Sequence, residues 1–375
     1  MTAAILYEQF QPRPYVVSQP LVIDEVDIDG PGPGEVLIEV RAAGICHTDL
    51  STVDGVRPRK LPVIPGHEVA GIVRDIGEGV TSLQAGDHVV GVVVTTCGKC
   101  QYCFGGRPNL CEATKSARAN GTLQSGARRI HLRCEDLNHF SGISAFAQYA
   151  VCAESSLVRI EKNVSLEVAA LFGCAVMTGV GAVMNTAKVP AGVSAAVVGL
   201  GGVGLSALLG LVASGAYPIV AVDSQQSKCD LARTLGATHA VLATSNCVEE
   251  VRDITGGGVE YAFEMAGSIP AMTTALAITR RGGTTTSAGL PATDKLISFR
   301  HAEFVTDERT IKASYMGSCV PRRDVPKYLE LYRVGRLPID RLQSGTIRFH
   351  QLNEAMDLLA DGGTVRQVLL PHAKG

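Results

Sequence analysis

Hydrophobic and polar positions alternate in short steps through the first 150 residues. The runs VLIEVRAAGIC, HEVAGIVRDIG and DHVVGVVVTT are rich in β-branched residues, and PGPGE, GEGVTS and QAGDH punctuate them. Such runs, bounded by Gly- and Pro-rich turns, predict short strands in a β-rich domain. From Cys111 to about Phe146 the pattern is lost, and the polar stretch predicts a long irregular excursion. SLEVAALFGCAVMTGVGAVMN then predicts helix, with small residues suited to close packing. From Ala191 the pattern becomes strand and helix in turn: AAVVGLG, VGLSALLGLVASGA, YPIVAVD, SQQSKCDLARTLGA, HAVLA, VEEVRDITGG, VEYAFEMAG and IPAMTTALAITRRGGTTTSAG. That alternation predicts a doubly wound parallel sheet, and so an α/β protein. It stops near Cys319. Beyond it, VPKYLELYRVG and LNEAMDLLADG predict helices among short strands, in a tail expected to rejoin the first domain.

No charged residue occurs from Val189 to Val222, a run longer than a membrane-spanning helix needs. The run contains seven Gly and two Pro, and it divides into an apolar strand, a Gly turn, a small-residue helix and a second apolar strand. The reading is a buried βαβ unit, apolar on both faces of its strands, and no membrane partner.

Composition narrows the class further. A chain of 375 residues is long for one core and predicts two domains. Its net charge of −2, without a long basic stretch, gives no footing for nucleic acid or an anionic membrane. The N-terminal MTAAILYEQFQPRP has no basic segment leading into an apolar core. The expectation is a reducing, cytoplasmic setting, in which clustered cysteines signify metal before disulfide.

The cysteines do cluster. Cys97, Cys100, Cys103 and Cys111 lie in CGKCQYCFGGRPNLC, spaced C-x2-C-x2-C-x7-C. Four thiolates this close can enclose one tetrahedral Zn2+, a closed site that supports structure. A ferredoxin-type iron–sulfur cluster uses a similar run but with Pro after its fourth Cys. Here the fourth Cys is seven residues on and Glu112 follows, so zinc is preferred.

AAVVGLGGVGLSALLG carries Gly199, Gly201 and Gly204 in G-x-G-x-x-G order, with Gly202 and Val203 between them. The motif follows a predicted strand and opens a predicted helix, and Asp223 ends the next strand 19 residues after Gly204. This is the context in which the fingerprint binds a dinucleotide pyrophosphate on a helix N-terminus. Asp223 is placed to accept from the ribose hydroxyls and to repel a 2′-phosphate. No Arg occurs in 224–228, so NAD is expected over NADP. Lys228 is either a ribose contact or a solvated helix residue.

Three Gly-flanked turns hold the remaining chemistry: GICHTDL with Cys46, His47, Thr48 and Asp49, IPGHEVAG with His67 and Glu68, and LFGCAVMTG with Cys174. Two cysteines and one histidine form a recognised ligand set for a catalytic zinc with one open position, alcohol dehydrogenase being the known example.

In these motifs and their order the sequence resembles the zinc-dependent medium-chain alcohol dehydrogenases. GICHTD, PGHEVAGIV, GDHVV, the four-cysteine lobe, GCAVMTG and GLGGVG carry the likeness over essentially the whole chain. GTLQSGARRIHLRCEDLNHFSGISAFAQYAV is similar to the longer-loop branch, which includes glutathione-dependent formaldehyde dehydrogenases. YLELYRVGRLPIDRL is similar to bacterial aryl-alcohol dehydrogenases. The resemblance implies a GroES-like catalytic domain, residues 1–175 and 320–375, with a structural zinc lobe at 95–113. It implies a Rossmann domain at 176–319, an active site in the cleft, two zinc ions per chain and a homodimer or homotetramer.

Roles implied by the resemblance fall on particular residues. Cys46, His67 and Cys174 match the catalytic zinc ligands. Thr48 matches the hydroxyl that takes the alcohol proton, Asp49 the carboxylate that orients His67, and Glu68 the acid beside the metal. His47 and Arg366 match basic residues over the pyrophosphate, Thr178 a nicotinamide contact, and Val93 and Phe140 pocket positions. Ser51 stands where the liver-type relatives continue the proton relay through His. The function expected is interconversion of aromatic or medium-chain primary alcohols and aldehydes. A glutathione- or mycothiol-dependent formaldehyde dehydrogenase is the alternative. A non-enzymatic nucleotide sensor is disfavoured by the complete ligand set.

Overall fold

Strand Glu35–Gly44 is the longest strand of the first unit and organises it. Eight of its ten residues are buried, as an apolar run in the centre of a sheet requires. In the computed structural model, which describes residues 1–373, it pairs antiparallel with Glu68–Ile76 and with Tyr149–Ala153. The full sheet runs Leu157–Ile160, His88–Gly91, Glu68–Ile76, Glu35–Gly44, Arg366–Leu369, Gln343–Ile347. Two register pairs matter for function. Gly44 lies opposite both Glu68 and Val368, so the chain entering Cys46, the chain leaving His67 and the strand bearing Arg366 meet at one end of the sheet. Gly44 permits this approach, because a Cβ there would strike the Glu68 side chain.

A four-stranded sheet, Asn138–His139, Val63–Ile64, Thr2–Leu6 and Leu21–Glu25, and a small sheet of Asp27–Ile28, Ile130–Leu132 and Glu135–Asp136 complete the β-rich part. The unit comprises residues 1–174, Val320–Leu329 and the chain from Ile339 onward.

The second unit comprises Ala175–Cys319 and Glu330–Pro338. Its six parallel strands lie in the order His239–Leu242, Ile219–Asp223, Ala195–Val198, Val259–Glu264, Thr279–Ser287, Thr310–Ala313. Counted along the chain this is 3-2-1-4-5-6, the doubly wound order that leaves a ligand crevice where the winding reverses. The uncharged run from Val189 resolves into strand Ala195–Val198, helix Gly202–Ser214 and strand Ile219–Asp223. No single helix among the described residues is long and apolar enough to cross a membrane.

Two local expectations are corrected. The excursion after Cys111 is not irregular throughout: Glu112–Asn120 is a helix, and Ile130–Leu132 pairs with Glu135–Asp136. The helix buries only Thr114, so it carries no apolar stripe to betray it. The predicted continuous helix around Cys174 is broken. Leu166–Ala170 leads to a 3-10 turn at Leu171–Gly173, and a new helix begins at Ala175 and ends in a π-helical segment, Ala182–Ala187. Cys174 sits at the break with non-helical φ −143°, ψ −70°.

Candidate active site and metal centres

Cys97, Cys100, Cys103 and Cys111 bring their sulfurs within 4.8 Å of one another. Short elements do the positioning: Cys100 caps helix Gln101–Phe104, and Cys111 caps helix Glu112–Asn120. Cys100 Sγ is 3.6 Å from Cys103 Sγ, close to the edge of about 3.7 Å expected of a tetrahedron with Zn–S bonds of about 2.3 Å. The backbone N–H of Cys97 donates to Cys111 Sγ at 3.3 Å. Backbone N–H groups of Glu112 and Cys103 draw the Cys100 thiol down to about 6, whereas burial pushes Cys103 up to about 12. Four free sulfurs this crowded, sharing protons unequally, suit one dication that would hold all four as thiolates.

A second cluster joins Cys46, His67, Glu68 and Cys174, all buried, with donor atoms again within 4.8 Å of one another. Cys46 caps helix His47–Val53, whose third residue, Asp49, closes a capping box by accepting from the Cys46 N–H at 3.1 Å. The other Asp49 oxygen accepts from the Gly66 N–H and lies 3.0 Å from His67 Nδ1. Gly66 has φ +90°, and a Cβ there would meet Phe146, so the turn that aims His67 requires glycine. Nδ1 lies against Asp49, and the buried His67 Nε2 has no hydrogen-bond partner. A buried imidazole nitrogen without a partner, aimed at two thiols, fits a metal ligand oriented by a carboxylate.

Arg366 packs against Glu68, the acidic member of this cluster. Arg366 Nη2 is 3.5 Å from Glu68 Oε1, and Arg366 Nη1 donates to the Ile45 carbonyl at 3.0 Å. Burial pushes Glu68 up to about 8 against the opposing pull of Arg366. The Cys46 thiol is lowered, chiefly by its hydrogen bond with Cys174, whose own thiol is raised by the same contact. A divalent cation would favour the charged form of each donor in this set.

The remaining residues fall as follows. His47 is exposed and Thr48 half-buried. Ser51 Oγ donates to the His47 carbonyl at 2.7 Å, so its own proton is committed to the backbone. Val93 and Phe140 are buried, and the Phe140 ring meets the His67 ring edge-on at 5.8 Å. The Arg59 guanidinium covers the Phe140 ring, 5.6 Å from its centroid. Sequence reasoning missed Arg59, whose signal was only a cluster of cations in GVRPRK. Burial of Arg366 against Glu68, rather than on an open surface, was signalled weakly by its place in the apolar strand RQVLL. A cavity of about 440 Å³ in the same unit, lined by Arg41, His88, Ser165, Glu167 and His372 among others, shares no residue with the cluster.

In the second unit Gly199 has φ +93°, and Gly204 packs so tightly that a Cβ would strike the Gly199 carbonyl. Gly201 caps helix Gly202–Ser214, so Gly202, Val203 and Gly204 form its first turn. Asp223 accepts from the Leu200 N–H at 2.6 Å and the Gln225 N–H at 3.0 Å, locking the carboxylate beside the glycine turn. Lys228 is half-buried, and Thr178 Oγ1 faces Met316 sulfur at 3.8 Å.

The family model for the alcohol dehydrogenase GroES-like domain matches residues 32–162, and that for zinc-binding dehydrogenases matches residues 202–333. Among its relatives, an S-(hydroxymethyl)glutathione dehydrogenase of Synechocystis sp. is 37% identical over 360 residues, covering 95% of this chain and 97% of the relative. A zinc-binding-domain alcohol dehydrogenase protein from Burkholderia ambifaria superposes with TM-score 0.93 at 35% identity, covering 99% of both chains. The benzyl alcohol dehydrogenase of Acinetobacter calcoaceticus superposes with TM-score 0.91 at 33% identity over 98% of both.

Proposed function

The chain belongs to the zinc-containing alcohol dehydrogenase family, and from that premise we propose that it oxidises aromatic or medium-chain primary alcohols to aldehydes with NAD+ at the Cys46–His67–Cys174 site. That it is an oxidoreductase acting on small alcohols and aldehydes follows from the family. The observation that carries the site assignment is the buried, unpartnered His67 Nε2 facing Cys46 and Cys174.

Cys46, His67 and Cys174 would hold a zinc ion, which as a Lewis acid lowers the pKa of an alcohol oxygen. Asp49 fixes the His67 tautomer and ring orientation. The Glu68–Arg366 pair sets the charge beneath the ligands. Thr48, half-buried two residues from Cys46, takes the hydroxyl proton. Ser51 donates to the backbone, so the onward route favours solvent at the exposed His47. Bound NAD+ would supply the hydride acceptor for the carbinol carbon. In the second unit the Gly199–Gly204 turn receives the pyrophosphate, and Asp223 disfavours a 2′-phosphate.

Finer assignments rest on single features. All eleven cysteines are free, in keeping with a reducing cytoplasm. Edge strand Thr310–Ala313, with exposed Leu296, Phe299, Val305 and Ile311 on or near it in sequence, suits a homodimer through the parallel sheet. Among alternatives, thiol-dependent formaldehyde oxidation is favoured by the Synechocystis relative's name. Against it, Arg118, one of the two cations in 112–120, turns inward to the Val93 carbonyl.

A series of alcohols from ethanol through hexanol to benzyl and cinnamyl alcohol, assayed beside hydroxymethyl-thiol adducts, tests the proposal. A rise in kcat/KM of several-fold per buried methylene is expected until the slot is full. A flat profile, or strict dependence on glutathione or mycothiol, would overturn it.

A further inference from the structure

Strand Glu35–Gly44 breaks register with Glu68–Ile76 between Val40 and Ala42, and Arg41 is the residue at that bulge. A bulge re-aims its side chain out of the regular alternation. Arg41 lines the cavity of about 440 Å³, a volume within the range of about 300–1,000 Å³ usual for small-molecule sites. Its Nη1 donates to Glu39 Oε1 at 3.0 Å. Glu39 also pairs with Arg74 and lies 3.6 Å from His372, so Arg41 is not its only counter-charge. The other edge of the Arg41 guanidinium, Nε and Nη2, has no partner among the described residues, and the side chain is 45% exposed.

His88 lies on the neighbouring strand His88–Gly91, paired with Ile72 on one side and Ile160 on the other. Its Nδ1 is enclosed and has no hydrogen-bond partner. A proton there would be a buried donor with nothing to receive it. Burial, with Lys162 and Arg41 close by, lowers the pKa of this ring, so near pH 7 it is neutral and keeps its one proton on Nε2. His88 lines the cavity, and Nε2 is the nitrogen it has left to offer there. Ser165 adds an exposed hydroxyl, which makes no capping bond to the helix Leu166–Ala170 that follows it. Val164, Leu166 and Leu370 supply hydrocarbon between these donors. Among the described residues of the lining the one acid is Glu167, which accepts from Gln343 Nε2 at 3.3 Å.

We propose that this cavity binds a small organic monocarboxylate with a hydrocarbon or aromatic body, apart from the catalytic centre. The carboxylate lies along the Nε–Nη2 edge of Arg41, where two parallel N–H groups match its two oxygens in spacing and charge. His88 Nε2 and Ser165 Oγ donate to the lone pairs that the guanidinium leaves. The body of the ligand rests on Val164, Leu166 and Leu370. Glu167 sets the charge: a second negative charge on the ligand would meet a like charge, so a monoanion is selected over a phosphate dianion. The lining shares no residue with the Cys46–His67–Cys174 cluster, so occupancy requires neither the catalytic metal nor NAD+.

The experiment is titration calorimetry of the zinc-loaded protein with benzoate, its neutral counterpart benzamide, and inorganic phosphate. It uses wild type, Arg41→Gln, Arg41→Lys and Cys174→Ser. Benzoate is expected to bind wild type with Kd on the order of 1 mM, and benzamide and phosphate about tenfold more weakly or worse. Arg41→Gln should weaken benzoate by about tenfold, and Arg41→Lys should recover part of the loss, because an ammonium keeps the charge without the fork. Both Arg41 variants should oxidise benzyl alcohol with unchanged kcat/KM. Cys174→Ser should bind benzoate as wild type does. Should the Arg41 variants fail to fold, wild-type crystals soaked in 4-bromobenzoate decide: a bromine anomalous peak between Arg41 and Leu370 supports the site, and its absence overturns it. The proposal also falls if benzoate does not bind, if phosphate binds as tightly, or if Arg41→Gln leaves the affinity unchanged. Loss of benzoate binding in Cys174→Ser would place the ligand at the catalytic centre instead, and overturns it as well.

Discussion

Arg366 and Glu68 face each other at 3.5 Å with both side chains closed to solvent, directly beneath two cysteines and a histidine. A buried pair of this kind costs most when only one member is removed. Arg366→Met is therefore expected to destabilise the protein by about 3–5 kcal/mol, since it strands Glu68 and the Ile45 carbonyl. The double change Arg366→Met, Glu68→Leu should recover much of that loss. Urea unfolding of the two singles and the double gives the coupling directly. Additive single effects would show that the two groups are energetically independent.

The two donor clusters predict about two zinc ions per chain, one closed and one open. Cys174→Ser should lower the metal content by about one ion and abolish turnover while circular dichroism stays native. Cys103→Ser should instead lower thermal stability, because a closed site contributes folding energy. Elemental analysis of the three proteins is the check, and one ion in a fully active wild type contradicts the assignment.

Asp223 accepts two backbone N–H groups as well as facing the expected ribose position. Asp223→Ala should narrow the NAD-over-NADP preference by about a decade or more, as one like-charge contact is removed. It should also cost about 1–3 kcal/mol of stability, because the Leu200 and Gln225 donors lose their acceptor. Asp223→Asn should cost less stability for a similar shift in preference. Measuring both quantities on both variants separates the two roles.

His131 gives a pH dependence remote from any metal ligand. Its imidazole lies 2.9 Å from Asp29 and 3.0 Å from Asp136, and hydrogen bonding to Asp29 is the main cause of its raised pKa. A raised folded value means that the protonated form stabilises the native state. The contribution is full below the unfolded value of about 6.5 and is lost as pH rises through the folded value. Both carboxylates are half-exposed or more, so its size is on the order of half a kcal/mol. His131→Asn should remove a small fall in the urea midpoint between pH 5.5 and 9. An unchanged profile would show that the triad is neutral in energy.

Elements governed by local rules were legible in the sequence. The Gly199–Gly204 turn needs a left-handed residue and a bare Cα, and the spacing records both. The alternating strands and helices after Ala191 are likewise marked by apolar runs between turns. Helix Glu112–Asn120 was not, because an exposed helix lacks an apolar period. Its signals were helix-favouring residues and the left-handed Gly121 at its C-terminus. The break at Cys174 was invisible for the opposite reason: uniformly apolar neighbours look the same in or out of a helix. The roles of Arg59 and Arg366 depend on partners 81 and 298 residues away in sequence, Phe140 and Glu68, which no local pattern encodes.

The two cysteine-bearing clusters draw on very different lengths of chain, and this bears on the order in which a newly made polypeptide acquires its metals. Cys97 to Cys111 span fifteen residues, so closing that loop costs little chain entropy and can precede any long-range pairing. The other set waits until Cys174 has emerged, and its underside waits for the strand beginning at Arg366, 320 residues after Cys46. A chain still on the ribosome can therefore fill its closed lobe while its reactive centre does not yet exist. Until the final strand is laid beside Gly44, a metal ion reaching Cys46 and His67 meets ligands whose supporting charge is missing. The closed lobe can thus be complete long before the reactive centre has its full set of supporting residues.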